Sequence, residues 1–299
     1  MLAIQTVPVA GNVIDLIYSQ KVVNLTICNP PVNSYVLFQD AINSKHAVLA
    51  RYLGCFKWQR VKPDRQMNIS GFKPRDSAQS ALVDCLTDDN ILINVAIGSA
   101  GTGKTTLAMA TAAHDWINSG RRILLSKPTA IVGTGQAFGP VPGTIEEKYD
   151  PYLASYKIVL DKVFGTDKSY IDRMVSKGDI EFQPVELARG CTFENATFIL
   201  DEAQNMTWHE LNTIISRMGE NTKMIILGDL KQIDIPLSAE ETGLYKLVYS
   251  IPFQESDIAS AVQLKNQYRS PITALVAEVN EWVTQEKSTK KFIATPPPA

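Results

Sequence analysis

The chain has 299 residues, 45% of them hydrophobic and 20% charged, with a formal net charge of -2, enough to bury one large core or one core with a smaller appendage. No apolar run reaches the roughly 20 residues that cross a bilayer, and no basic, apolar and small-residue series opens the chain. A membrane protein or membrane partner is therefore not expected, and a soluble cytoplasmic protein is.

Residues 1 to 70 alternate apolar and polar positions in short runs such as Val22-Val23-Asn24-Leu25-Thr26-Ile27, then meet Asn29-Pro30-Pro31. Alternation broken by prolines predicts a small strand-rich or α+β unit with a turn. The same region holds the charge asymmetry of the chain. Residues 1 to 75 carry nine Lys/Arg against three Asp, a balance of +6, so the remainder carries -8. Between residues 45 and 75, Asp64 stands among eight basic residues interleaved with Tyr52, Phe56, Trp58 and Phe72. Cations neutralise phosphates and aromatic rings stack on bases, so Lys57, Arg60 and Lys62 mark a candidate nucleic-acid surface. The competing reading makes the aromatics core and the charges a solvated face. Cys28, Cys55, Cys85 and Cys191 form no C-x-x-C pair and have no histidine beside them, which predicts reduced packing thiols.

From residue 91 the pattern changes. ILINVAI (91 to 97), RILLS (122 to 126), TFILD (197 to 201) and KMIILGD (223 to 229) are short apolar runs without alternation, as parallel strands covered on both faces require. Helix punctuation stands between and after them. Thr144 to Glu147 and Thr207 to Glu210 fit the S/T-x-x-E capping box, and Gly120, Gly165, Gly178 and Gly219 stand where helices should stop. Ser270-Pro271 should open a last helix with Ile272, Leu275, Val276, Val279 and Val283 on one face. The expected organisation is a basic unit of unknown role over 1–70, an α/β nucleotide-binding domain over 71–288 and a flexible tail over 289–299.

Gly98, Ser99, Ala100, Gly101, Thr102, Gly103, Lys104 and Thr105 satisfy G-x-x-x-x-G-K-[ST] directly after a predicted strand and before a predicted helix. Glycines let successive N–H groups face phosphate oxygens, and the helix start adds its positive end. Lys104 is expected at the β and γ oxygens and Thr105 on Mg²⁺, with Thr106 completing the ATP-binding set. Asp201 ends a strand and would order the metal shell, while the adjoining Glu202 would polarise the attacking water. Gln232, in GDLKQID, has the neutral donor and acceptor to sense a γ-phosphate, with Asp229 tuning its surroundings. Gln79, in FKPRDSAQ, is a candidate reader of the adenine edge, a structural role being the competing reading.

In order along the chain, GSAGTGKTTLA, VPGTIEEKYDPYL, ARGCTF, FILDEAQN and GDLKQIDIP resemble the PhoH family of ATPases, whose core looks like the first RecA-like domain of superfamily 1 helicases. The short form is similar to the PhoH-like proteins carried by many phages, and the likeness covers about residues 72 to 285. It implies a three-layer P-loop NTPase (RecA-like) core with a parallel sheet, ATP and Mg²⁺ as cofactors, and hydrolysis coupled to RNA or single-stranded DNA. Lys104 and Thr105 match the family's phosphate-loop pair, Asp201, Glu202 and Gln204 its DEAQ box, and Gln232 a helicase-like third motif. Lys127 aligns with a segment that touches a strand's backbone in helicases, and Arg189 with an Arg-Gly turn of similar expected role. Arg269, in YRSPI, matches an arginine expected to act as transition-state finger. Ser270 replaces the usual histidine there, and Ile-Val-Gly-Thr-Gly replaces a glutamate-rich stretch after Lys127-Pro128.

Glycine and proline crowd residues 133 to 143, where Phe138 is either a base-stacking residue of a channel loop or part of an ordinary surface connection. Only 65 residues follow Asp234, and a second RecA-like lobe needs on the order of 100. A homo-oligomeric ring is therefore expected, a hexamer for example, with Arg269, Arg189 or Arg217 reaching a neighbour's nucleotide. The alternative is an ATP-responsive binding switch that recruits a protein partner without strand work. A small-molecule kinase would share the phosphate loop, but the sequence has no signature of an acceptor pocket or lid.

Overall fold

The computed structural model describes residues 3–62, 71–128, 145–166, 168–185, 188, 190–268, 275 and 279. The chain opens with β1 (Gln5–Val9), α1 (Gly11–Ser19), β2 (Val22–Asn24), β3 (Tyr35–Asp40), β4 (Ala47–Tyr52) and β5 (Lys57–Arg60). These strands form a sheet in the order β1-β3-β4-β5-β2, parallel between β1 and β3 and antiparallel elsewhere. Ile14 and Ile17 of α1 pack onto one face with Val36, Phe38, Val48, Ala50 and Trp58. Tyr52 and Trp58 are 2% and 0% exposed, so the basic, aromatic stretch reads as core and rim at these two positions rather than as a stacking surface. Phe56 is 40% exposed in the turn between β4 and β5, where Cys55 and Phe56 both take left-handed backbone angles and Lys57 N–H closes on the Gly54 carbonyl at 3.0 Å.

The other face of that sheet leans on α2 (Ser77–Thr87): Tyr35, Val61 and Leu49 share a core with Ala81, Leu82 and Cys85. Charge fixes the seam, since the buried Arg51 pairs with Asp88 at 2.6 Å and Asp84 at 3.4 Å, and the Tyr35 hydroxyl donates to Asp84 at 3.0 Å.

The remaining elements follow as β6 (Ile93–Ile97), α3 (Lys104–Ser119), β7 (Arg122–Ser126), α4 (Ile145–Phe164), α5 (Lys168–Lys177), β8 (Ile180–Phe182), β9 (Ala196–Leu200), α6 (Trp208–Ile215), β10 (Lys223–Gly228), α7 (Gly243–Tyr249), α8 (Ile251–Gln254) and β11 (Ala259–Gln263). The second sheet is parallel throughout, in the order β11-β6-β10-β9-β7-β8. Alternate strand residues serve two cores. Ala96, Leu125, Ile199, Ile225 and Leu227 face α2 to α5, whereas Ile97, Leu124, Phe198, Leu200 and Ile226 face α6 to α8. Both faces being covered is why each strand reads as a continuous apolar run, and the result is a three-layer α/β/α core. At the β11 edge, Asn33 donates to the Asp257 and Ala259 carbonyls at 2.8 and 3.1 Å and accepts from Ser260 at 3.1 Å, so the turn before β3 caps what would be an open strand.

Local signals fare unevenly. The Thr207–Glu210 capping box forms with both bonds, and Gly120 closes α3 in a left-handed conformation. Gly219 does not stop a helix: α6 ends at Ile215, and Gly219 instead lets two chain segments meet, since a Cβ there would lie 2.6 Å from the Glu194 side chain. Of the alternating run 22 to 27, Val22–Asn24 forms a strand. Thr144 and most residues of the expected final helix lie outside the described residues; Leu275 and Val279 are helical and exposed. The four cysteines are free thiols. Among the described residues no helix is long and apolar enough to cross a membrane.

Candidate nucleotide and metal site

β6 delivers the chain to residues 98–103, and α3 leaves from Lys104. Gly101 and Gly103 take φ of 85° and 92°, a conformation that side chains resist, and this folds the loop back so that α3 begins facing its concavity. Gly98 has a different reason: a Cβ there would sit 2.5 Å from the Leu264 carbonyl, because the chain leaving β11 lies across the loop. The crossing segment is bonded to it, with Tyr268 N–H to the Gly101 carbonyl at 2.9 Å and Gln267 to the Ser99 hydroxyl at 3.1 Å. Lys104 curls onto the loop's own carbonyls, those of Gly98 and, at 3.1 Å, Ser99. A strand, a glycine loop and a helix in a parallel α/β/α core make this a RecA-like P-loop NTPase fold.

The acids arrive from the end of β9, two strands away, on the same side as the loop. The Thr105 hydroxyl donates to Asp201 Oδ2 at 3.4 Å. Glu202 takes a left-handed backbone, φ 56°, which is costly for a side-chain residue, and its N–H donates to Asp201 Oδ1 at 2.9 Å. Burial, and then the charge of Glu202, push the Asp201 carboxyl above its ordinary value. Lys127, at the end of β7, stands 3.9 Å from Glu202.

Gln204 is buried and ties the acids to the next loop. Its amide nitrogen donates to Glu202 at 2.8 Å and to the Gln232 carbonyl at 2.9 Å, and its oxygen accepts the Asp229 N–H at 3.0 Å. Gln232 thus enters through its main chain, while its side chain is exposed. Gln79 is buried with its amide engaged, accepting Arg75 N–H at 2.9 Å and donating to the Thr102 carbonyl at 2.9 Å. In this conformation it props the phosphate loop, and reading an adenine would require exchanging those bonds.

Several residues near the site carry no motif. Tyr156 of α4 donates its hydroxyl to Asp201 Oδ2 at 3.3 Å, and burial followed by Asp201 holds that phenol protonated. Asp76 caps α2 and accepts from Tyr268 and Asn266 at 2.6 and 2.9 Å, while Arg75 lies over the Tyr268 ring. Of the nucleic-acid candidates, Lys57 and Lys62 are exposed, but Arg60 bonds to the Tyr18 carbonyl and lies over its ring. Phe138, Arg189 and Arg269 fall outside the described residues.

The donor set suits a hard cation shared with a ligand. A hydroxyl and a carboxylate meet at the loop, and among the described residues no cluster of three or more His, Cys, Asp or Glu is placed to hold an ion alone. Mg²⁺ characteristically takes one or two protein oxygens and completes its shell with phosphate and water. The residues present fit it.

The family model described as "PhoH-like protein" matches residues 71–281. A PhoH-like protein of Bacillus subtilis is 43% identical over 141 residues, covering 47% of this chain and 43% of that protein. Protein PhoH2 of the same organism is 32% identical over 254 residues, covering 83% and 56%. The chain spans about half the length of these relatives. Among solved structures, a Pif1 helicase from Bacteroides in complex with ADP-AlF3 and ssDNA aligns at 17% identity and TM-score 0.29, covering 62% of this chain and 41% of that one.

Proposed function

The chain belongs to the PhoH-like protein family, and from that premise we propose that it is an Mg²⁺-dependent ATPase coupling hydrolysis to binding or movement along RNA or single-stranded DNA. The observation that carries this reading is the 3.4 Å contact between Thr105 and Asp201, which joins the phosphate loop to the acid pair. That contact sets a loop hydroxyl and a strand-end carboxylate where one ligand can use both.

On this reading Lys104 leaves the Gly98 and Ser99 carbonyls for the β and γ oxygens, and the loop's N–H groups take the rest of the phosphate. Thr105 and Asp201 would hold Mg²⁺, which would supply neutralisation of the charge that develops on those oxygens. Glu202, aimed by Gln204, accepts the proton of the attacking water. The Gln204 bonds to Asp229 and to the Gln232 carbonyl let the third-motif loop follow any movement of that acid. Lys127, partly exposed beside Glu202, supports the nucleic-acid part: a strand phosphate drawing Lys127 away would change the field at the base. Assembly into a ring, with an arginine completing a neighbour's site, belongs to the same proposal; sedimentation with MgATP that finds only monomer at full turnover removes it.

The test is ATP turnover with and without single-stranded RNA and DNA. The expected result is Mg²⁺-dependent hydrolysis stimulated several-fold by at least one of the two. Hydrolysis indifferent to both would leave an ATPase without strand coupling, and no hydrolysis would remove the activity.

A further inference from the structure

Tyr156 stands outside every motif that brought the site to notice, yet it reaches the metal-side acid. Its hydroxyl meets the same oxygen, Asp201 Oδ2, that takes the Thr105 hydroxyl, while Oδ1 takes the Glu202 N–H. The carboxylate is therefore held from α3, from α4 and from its own following residue. A hydroxyl that ligates a cation through a lone pair keeps its proton for a neighbouring acceptor, so the Thr105–Asp201 contact is compatible with a bound metal. What fixes where that acceptor stands is the third contact. The phenol is 5% exposed and its oxygen has been brought to a carboxylate rather than left in the apolar core beside Leu160 and Val163. Burying a hydroxyl is costly unless it finds such a partner.

We propose that Tyr156 is a positioning residue for the metal, its hydroxyl holding Asp201 in the orientation in which that carboxylate and the Thr105 hydroxyl would serve one Mg²⁺. The proposal rests on the nucleotide reading above and adds to it a residue whose helix packs on α3 and follows the connection after Lys127. Partners one step removed from a metal typically matter because they fix the ligand's direction, not because they touch the ion. Tyr156 and Lys127 thus bring both ends of the 127–156 stretch to the acid pair, one at Asp201 and the other at Glu202.

The test is calorimetric titration of wild type and Tyr156→Phe with ADP, once in Mg²⁺ and once in excess chelator. Phenylalanine keeps the ring and removes only the oxygen. The expected result is equal ADP affinity in chelator and a metal-dependent gain in affinity smaller by about ten- to hundredfold in the variant, the worth of one hydrogen bond to a charged group. If the variant is less stable, unfolded protein lowers the binding stoichiometry in both arms, whereas lost positioning lowers affinity in the Mg²⁺ arm alone. An undiminished metal gain, or an equal weakening in both arms, overturns the proposal. Wild type that binds no ADP in either arm overturns the nucleotide reading itself, a distinct failure.

Discussion

The two ends of the six-stranded sheet both gather charge, and they use it in opposite ways. At the ends where the strands begin, Lys223 is 0% exposed and bonds to the Leu86 carbonyl at 2.8 Å, with Asp89 at 3.3 Å and Asp115 at 4.0 Å. Arg121 meets Asp89 at 2.8 Å and Asn221 at 3.1 Å, and Asp115 accepts the Thr197 hydroxyl at 2.8 Å. That network is made between protein groups, with Asp89 at its exposed edge. At the ends where the strands finish, Lys104 rests on carbonyls of its own loop, Asp201 is a carboxylate whose charge burial disfavours, and Glu202 holds a strained backbone. The same residue types serve structure where their partners are complete, and have capacity for a ligand where their partners are provisional.

The sharpest way to break the contrast is at the finishing end. Lys104→Ala should abolish nucleotide binding, a loss beyond about 100-fold by calorimetry, with folding intact. Binding within a few-fold of wild type would mean that the lysine's place on its own loop is its final one. Glu202→Gln should bind nucleotide normally and lose at least about 100-fold in turnover, since a base removed from the transition state costs rate rather than affinity. Normal turnover would assign the base elsewhere.

At the beginning end the expected effect is on stability. Lys223→Ala leaves the buried Leu86 carbonyl without its donor, while Asp115 keeps Arg121 at 3.6 Å, and should cost about 2 kcal/mol in denaturant unfolding, with nucleotide affinity per folded molecule unchanged. A loss of affinity at full stability would erase the distinction between the two ends.

Asp201 sharpens the comparison through pH. A carboxyl whose folded value is raised contributes stability below its unfolded value, about pH 4, and that contribution is lost as pH rises through the folded value. Asp201→Asn, neutral throughout, should therefore melt higher than wild type near neutrality, the gap closing toward about pH 4. A gap constant across pH would exclude the charge as its cause. The smallest expected effect is on the basic stretch of the sequence: neutralising Lys57, Arg60, Lys62 and Arg65 together should flatten the salt dependence of RNA binding. An unchanged slope would return that stretch to the structural reading.

Much of the site was legible because its chemistry is local. The phosphate loop needs glycines at fixed offsets after a strand, and the acids need a strand end, so Lys104, Thr105, Asp201 and Glu202 follow from spacing alone. The four long strands were legible for a related reason, both faces being buried. What escaped was short, small or distant. β8 has three residues, and β11, ASAVQ, is too polar and too small-sided to read as core. Tyr156 reaches Asp201 across 45 positions and looks in the sequence like any aromatic of an amphipathic helix. Gln79 had the right chemistry for a base, but nothing local discloses that Thr102 already uses it. Tyr52 and Trp58 suit both stacking and core in the sequence, with core slightly favoured, and their burial under α1 decides for core.

The central claim is that the finishing ends of the strands share one magnesium nucleotide. Titrating the wild-type protein with a non-hydrolysable ATP analogue, in Mg²⁺ and in chelator, tests it most directly. Saturable uptake that tightens with Mg²⁺ is predicted; no uptake, or uptake indifferent to the metal, contradicts it.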